Sequence, residues 1–248
     1  MKMKIRLAHL RIMAIKPFLV FLFCCLSASV NAQSWDFITW HKFSASGELI
    51  KDLKLSVEQQ VRLNENSTGL DETFTEVGLG YVLPKGFDIS AAYRLAWDQN
   101  DDRSLSATHR YNTDLSYSKK IWKFGAKLRA RFQYRPSDAY FNERLKPDDS
   151  PVFFRFKLGF YYRKLKKWTP GIEFETFVRM EDPNNLGAKK FRYRVFLDYD
   201  LPKRQELGLF YMIQTDNFGK TPEFASIIGL NYSYEWKRPK KKKKKKDK

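Results

Sequence analysis

From Phe124 to Arg135 apolar and polar residues alternate: Phe124, Ala126, Leu128, Ala130, Phe132 and Tyr134 against Gly125, Lys127, Arg129, Arg131, Gln133 and Arg135. Successive side chains of an extended chain point to opposite faces, so this period of two predicts a β-strand with one apolar and one polar face. Comparable runs fill the chain after Gln33: Asp36–Ser44, Leu53–Leu63, Glu72–Leu83, Phe87–Trp97, Ala107–Tyr117 and Phe124–Tyr134. They continue with Val152–Tyr162, Gly171–Arg179, Lys190–Tyr199, Glu206–Gln214 and Ile227–Trp236. No convincing helical periodicity interrupts them. A typical globular strand has about 5 to 6 residues, whereas most of these runs approach the length of a tilted strand that crosses a bilayer, about 9 to 11. Eleven residues rising about 3.3 Å each at a tilt near 40° climb roughly 28 Å, the hydrocarbon thickness.

The connections alternate in length. Short ones are Pro84–Gly86, Ser118–Lys123, Arg163–Trp168 and Pro202–Gln205; long ones are Asn64–Asp71, Asp98–Ser104, Pro136–Ser150, Met180–Ala188 and Thr215–Phe224. Short turns at one end and long loops at the other describe an up-and-down barrel with periplasmic turns and extracellular loops. Charge sorts the same way. The short turns carry Lys85, Lys119, Lys120, Lys123, Lys164, Lys166, Lys167, Lys203 and Arg204, with Arg163 at a strand end, and no acidic residue. The long loops hold thirteen acidic residues and few basic ones. Basic turns suit the anionic headgroups of an inner leaflet.

Two barrels fit alternating strands: a soluble one with aromatics inside, and a membrane one with aromatics outside. Aromatic residues make up 16% of the chain, and Tyr81, Trp97, Tyr117, Tyr134, Tyr162, Tyr199 and Trp236 recur at strand ends, as interfacial girdles do. One face of each strand suits lipid, for example Phe154, Phe156, Leu158, Phe160 and Tyr162, or Ile228, Leu230, Tyr232, Tyr234 and Trp236. In a membrane barrel, turning the Phe124–Tyr134 strand over would aim Lys127, Arg129 and Arg131 at lipid. At about 2–4 kcal/mol for each cation at the midplane, that inversion costs of order 6–10 kcal/mol. The apolar face therefore points outward. Ten strands from Leu53 onward would leave both chain ends on the short-turn side, and Asp36–Ser44 would make eleven. Bacterial barrels are even-numbered, so either that first run does not span or another strand is missed. The expectation is an all-β, antiparallel up-and-down transmembrane β-barrel of 10–12 strands.

The chain's net charge of +18 changes meaning once it is located. Lys2, Lys4, Arg6, Arg11 and Lys16 precede the apolar run "PFLVFLFCCLSASV" and a small-x-small site at Val30-Asn31-Ala32, which reads as a cleaved secretory signal peptide over residues 1–32. Both cysteines, Cys24 and Cys25, fall inside it, so the mature chain has none, and Phe23 before Cys24 argues against a lipid anchor. The last twelve residues, "KRPKKKKKKKDK", hold ten basic and one acidic residue. Between them, residues 33–236 carry 31 basic and 27 acidic residues, a net of +4. A nearly balanced barrel is followed by a basic tail over 237–248, which predicts a solvated extension or a tether, through Lys240–Lys246, to an anionic periplasmic partner. An exported chain does not meet the genome, so no nucleic-acid partner is expected. Localisation follows as the outer membrane of a Gram-negative cell. Its lipid would be the main partner, and the barrel-assembly machinery would read the closing aromatic alternation during insertion.

The strand order also resembles a family of outer-membrane proteins known as domain of unknown function 2490. The residues that carry it are "EQQVRLNEN" with Arg62, "AAYRLAWDQ" with Arg94, "RYNTDLSY" with Arg110 and Asp114, and "KLRARFQY" with Arg129 and Arg131. "PGIEFETFVR" with Glu173 and Glu175, "FRYRVFLDYDL" with Arg192 and Arg194, and "IIGLNYSYEW" continue it, so that it spans most of Trp35 to Trp236. The resemblance implies a β-barrel and carries no assigned activity.

Chemistry is sparse. His41 and His109 are the histidines of the mature chain; His109 has lipid-facing parity, and Ser106 or Ser116 could pair with it as a lipid hydrolase would require, but no neighbouring motif supports this. No enzyme and no cofactor are expected. Asp98, Asp101 and Asp102 could hold Ca²⁺, but the sequence favours a solvated acidic loop. The one constellation is inward-facing charge: Glu58, Arg62, Arg94, Arg110, Asp114, Arg129, Arg131, Arg155, Glu173, Glu175, Arg192 and Arg194, with Glu72, Glu76, Lys157 and Asp198 of the same parity. Unpaired charge in a narrow lumen is costly, so a paired network filling it is expected, with a narrow path weakly favouring anions as the alternative.

Overall fold

The computed structural model describes residues 36–100, 102–136, 152–163, 165–180, 188–216 and 223–236. The predicted leader with Cys24 and Cys25, the lysine tail, and nearly all of the Pro136–Ser150 loop lie outside the described residues. Within them, eleven strands close into one barrel: β1 Asp36–Ile50, β2 Leu53–Asn64, β3 Gly69–Val82, β4 Phe87–Gln99, β5 Leu105–Ile121 and β6 Phe124–Tyr134. The circle is completed by β7 Val152–Tyr162, β8 Trp168–Arg179, β9 Ala188–Leu201, β10 Gln205–Asp216 and β11 Glu223–Trp236. Consecutive strands pair antiparallel throughout, each filling the donors and acceptors of its neighbour. A closed circle leaves no edge, which is what an apolar surrounding demands of a sheet.

The seam differs from the expectation. β1 is a full strand that pairs antiparallel with β2 and parallel with β11, with Lys42 opposite Asn231 and Ser44 opposite Ser233. The choice between a non-spanning first run and a missed strand therefore does not arise. A parallel ladder fills backbone donors and acceptors as an antiparallel one does, so an odd number of strands closes without an orphan edge. A second consequence is that β1 starts at the long-loop end, so the two ends of the barrel strand set lie at opposite mouths.

The short turns are tighter than the sequence indicates. Ser118 to Ile121 belong to β5, which leaves Trp122 and Lys123 as a two-residue hairpin, and Trp122 takes a φ of 52°. Pro84-Lys85-Gly86 and Pro202-Lys203-Arg204 each use proline to enter the turn and a lysine in the left-handed region to reverse it. The β1–β2 turn, Lys51–Asp52, adds one acidic residue to this otherwise basic end. Asp52 adopts a φ of 64°, and its carbonyl accepts from the Val82 amide at 2.8 Å.

Each strand presents its apolar face outward. On β6 Phe124, Leu128 and Phe132 are about half exposed, at 51%, 49% and 41%, whereas Gly125, Arg131 and Gln133 are buried. Val77, Leu79, Ile89, Leu115, Phe156, Phe160, Val195, Leu209 and Leu230 are likewise exposed large hydrophobics on the outer wall. Outward aromatic pairs ring the short-turn end: Phe87–Tyr117 at 4.7 Å, Phe124–Tyr162 at 5.3 Å and Trp168–Tyr199 at 4.5 Å between centroids. Tyr93, Tyr111 and Tyr134 form a second chain of rings farther up the wall. Such contacts each add about 0.5–1.5 kcal/mol beyond area burial and suit interfacial depth.

Candidate functional site

The inner wall divides by height. In the short-turn half many of its positions are small, Ser46 beside Ser56, Ser56 beside Gly78, Gly80 beside Ser90, and Gly159 and Gly208 on the far side, with Lys127 and Asp198 opposite those two glycines. From mid-height to the long-loop mouth it is charged. A cavity of about 620 Å³ occupies that upper part, and among the described residues twelve basic and eight acidic side chains line it.

The charges are wired in three groups. At the β2–β5 wall Glu72 is held by Arg62 and faces Arg110 at 3.5 Å, while Glu76 accepts from Arg94 at 2.8 Å and from Asn112 at 3.0 Å. On β5 and β6, Arg131 grips Asp114 with two parallel bonds of 2.6 and 2.7 Å, the bidentate geometry that fixes guanidinium orientation as well as charge. On β6 to β9, Glu175 receives Arg129 at 2.6 Å and Arg155 at 3.0 Å, with Arg192 at 3.8 Å. Glu173 takes Arg194 at 2.9 Å and Lys157 at 3.5 Å. Arg129 also lies 3.9 Å from Asp114, so it joins the second group to the third and reaches from β6 past β7 to β8. Glu58 pairs with Lys42 at 3.6 Å.

Glu58, Arg62, Arg94, Arg110, Asp114, Arg129, Arg131, Arg155, Glu173, Glu175, Arg192 and Arg194 thus all meet inside the barrel. Lys127 and Asp198, of the same parity, sit lower: Lys127 is opposite Ser118 and Gly159 and exposed, and Asp198 is opposite Gly208. Sequence reading missed the polar and aromatic members of the layer. Gln133 accepts from Arg155 at 2.9 Å, Gln214 accepts from Arg192 at 2.8 Å, and Lys190 meets Asp216 at 2.7 Å. Arg94 stacks on Phe74 at 3.4 Å, Arg155 on Phe177 at 4.2 Å, Arg194 on Phe210 at 4.2 Å and Arg62 on Trp40 at 4.1 Å. An aromatic face under a guanidinium replaces lost water by cation–π attraction. Parity could have found these rings, because Phe74 lies between Glu72 and Glu76, and Phe177 follows Glu173 and Glu175 by steps of two.

Behind the rings, Phe210, Met212 and Ile227 form a small buried cluster with Ile38, Trp40, Phe196 and Ala225 packed on it, beside the parallel seam. His109 faces outward and shares a 2.7 Å hydrogen bond with the Tyr93 hydroxyl. Ser106 and Ser116 are buried on the opposite, inner face of β5, so neither sits beside His109. Asp98 accepts from Thr108 at 3.0 Å inside the wall, whereas Asp102 accepts from Ser104 in the β4–β5 loop; Asp101 lies outside the described residues.

Among solved structures the chain is similar to the KdgM porin, at 15% identity over 76% of this chain and 94% of that one with a TM-score of 0.43. It is also similar to the β domain of the Bordetella autotransporter BrkA, at 13% identity over 73% and 78% of the respective chains with a TM-score of 0.37. No curated protein matches it. A family model matches residues 37–224, from β1 to the first residues of β11, and the chain belongs to that family, the protein of unknown function DUF2490.

Proposed function

We propose that the protein is an integral outer-membrane β-barrel whose lumen is stoppered, in its long-loop half, by the arginine–carboxylate layer. The observation that carries this reading is the cross-strand wiring at Glu175. Three arginines from β6, β7 and β9 converge on one carboxylate from β8. Arg129 skips β7 to reach Glu175, so its side chain and the carboxylate stand off the wall into the bore, where a solute would pass. The role is structural or interactive, without catalysis. The apolar outer wall and the aromatic rings support membrane insertion, and the leader read from residues 1–32 supports export.

One observation favours a second reading, a narrow path for anions: cations outnumber carboxylates around the cavity. Cell fractionation with gel mobility before and after boiling tests the membrane barrel; a soluble, heat-insensitive protein overturns it. Swelling of proteoliposomes in small sugars and salts then separates the stoppered barrel, which leaves them tight, from the path, which does not. A lipid-release assay on wild type and His109→Ala addresses catalysis. No hydrolysis by either is expected, and release that depends on His109 would make the barrel an enzyme.

A further inference from the structure

Of the eight lumen arginines described above, Arg110 differs from the rest. Arg62, Arg94, Arg131 and Arg194 each donate to a carboxylate, and the others donate to Glu175 or to a glutamine amide. Arg110 makes no hydrogen bond among the described residues. It is only 7% exposed, and among the described residues its Nε has no acceptor and its one ion pair is the 3.5 Å approach to Glu72, whose other oxygen is taken by Arg62. A guanidinium carries five N–H donors in a rigid fork, so burying it this way leaves most of its capacity unused.

Its neighbours sharpen the imbalance. Arg94 is directly opposite Arg110 in the β4–β5 ladder, and like charges directly opposite repel. Arg94 is already engaged by Glu76 and by the ring of Phe74. On the other side Tyr111 pairs with Tyr134, so Arg135, the next residue, continues the row beside Arg110, and it lines the same cavity. Three cations therefore stand abreast on β4, β5 and the end of β6, at a cavity of about 620 Å³ toward the long-loop mouth. Among the described residues Arg110 has one carboxylate within ion-pair distance, Glu72, which it shares with Arg62; Asp98 lines the same cavity and accepts from Thr108.

From this we infer that Arg110 is the anchor of an anion site, built to take the oxyanion group (carboxylate, phosphate or sulfate) of a water-soluble solute entering from the long-loop end. The fork of Arg110 binds two oxygens side by side, the flanking cations add long-range attraction, and Glu72 supplies the repulsion that keeps binding reversible. The inference rests on the barrel proposed above and deepens it: the stopper is also a receptor for small anions.

The test uses the mature full-length protein folded in zwitterionic detergent, titrated with inorganic phosphate against chloride at constant ionic strength. The midpoint of the folded-to-unfolded gel transition is followed as a function of temperature. Wild type is expected to show a saturable upward shift. Arg110→Gln should weaken the response at least tenfold while unfolding, without phosphate, no earlier than wild type, because the variant removes an under-bonded buried charge. Glu72→Gln should tighten the response at least threefold. An Arg110 whose role is purely structural gives the opposite pattern: Arg110→Gln unfolds earlier and responds to phosphate as wild type does. That result overturns the inference, as does a wild-type barrel that shows the folded gel form but no saturable response. A wild-type chain without any heat-modifiable form overturns the barrel itself, a separate outcome.

Discussion

Glu175 illustrates how single side chains set the character of the lumen. It is 5% exposed and has three arginines around it, so its charge is what lets those arginines stay buried. Removing one partner of a buried ion network leaves uncompensated charge and costs about 3–5 kcal/mol. Glu175→Gln is therefore expected to lower the stability of the folded barrel by that order, read as an earlier unfolding midpoint in urea. A midpoint unchanged from wild type would mean that water, not Glu175, neutralises the arginines. Parity alone told which residues share the lumen, since Arg129, Arg131, Glu173 and Glu175 all alternate with lipid-facing neighbours. It did not tell who pairs with whom. Arg129 bonds to Glu175 two strands away, while its own ladder partners are Ser116 and Lys157. Such pairing depends on the radius and shear of the closed barrel, which no local pattern encodes.

At the scale of the strand, the central statement concerns which face meets lipid. Leu128 and Arg129 are adjacent on β6 and point oppositely, with Leu128 49% exposed on the outer wall. Leu128→Arg should reduce folding stability in lipid vesicles by about 2–4 kcal/mol, because it places a cation against hydrocarbon near mid-strand. A neutral effect would turn the strand around. The seam can be tested equally directly. With the cysteines confined to the predicted leader, Ser44→Cys with Ser233→Cys should form a disulfide on oxidation, since the two face each other in the parallel ladder. Ser44→Cys with Ser226→Cys should not, because Ser226 lies opposite Phe37. Crosslinking of the second pair instead would place β1 in a different register or orientation. Ten strands from Leu53 onward were legible from periodicity, with most boundaries within a few residues, while the first run was seen but left undecided as a spanning strand. The parallel closure was not legible. The first run read short because Ala45-Ser46-Gly47-Glu48 lacks apolar contrast, and neither strand's own sequence states the orientation of its partner.

For the molecule as a whole, the height at which the paired charges gather is what bears on the choice between the stoppered barrel proposed above and a channel. Ser and Gly at the short-turn end leave room, whereas above them the arginine–carboxylate layer and its aromatic rings narrow the bore around a cavity of about 620 Å³. The sequence foretold the inward charges but not their heights; that the ion-paired ones gather above mid-height follows from strand tilt and register, which the ladders of the closed barrel define. If this layer is the stopper, loosening it should open the bore. Single-channel recording in planar bilayers decides the matter, with wild type compared against a variant carrying Arg129→Ser and Arg155→Ser, which removes two of the three arginines on Glu175. Wild type is predicted to give little or no conductance and the double variant clear unitary steps. Unitary steps of the same size from wild type would contradict the stoppered barrel and leave an open, arginine-lined pore in its place.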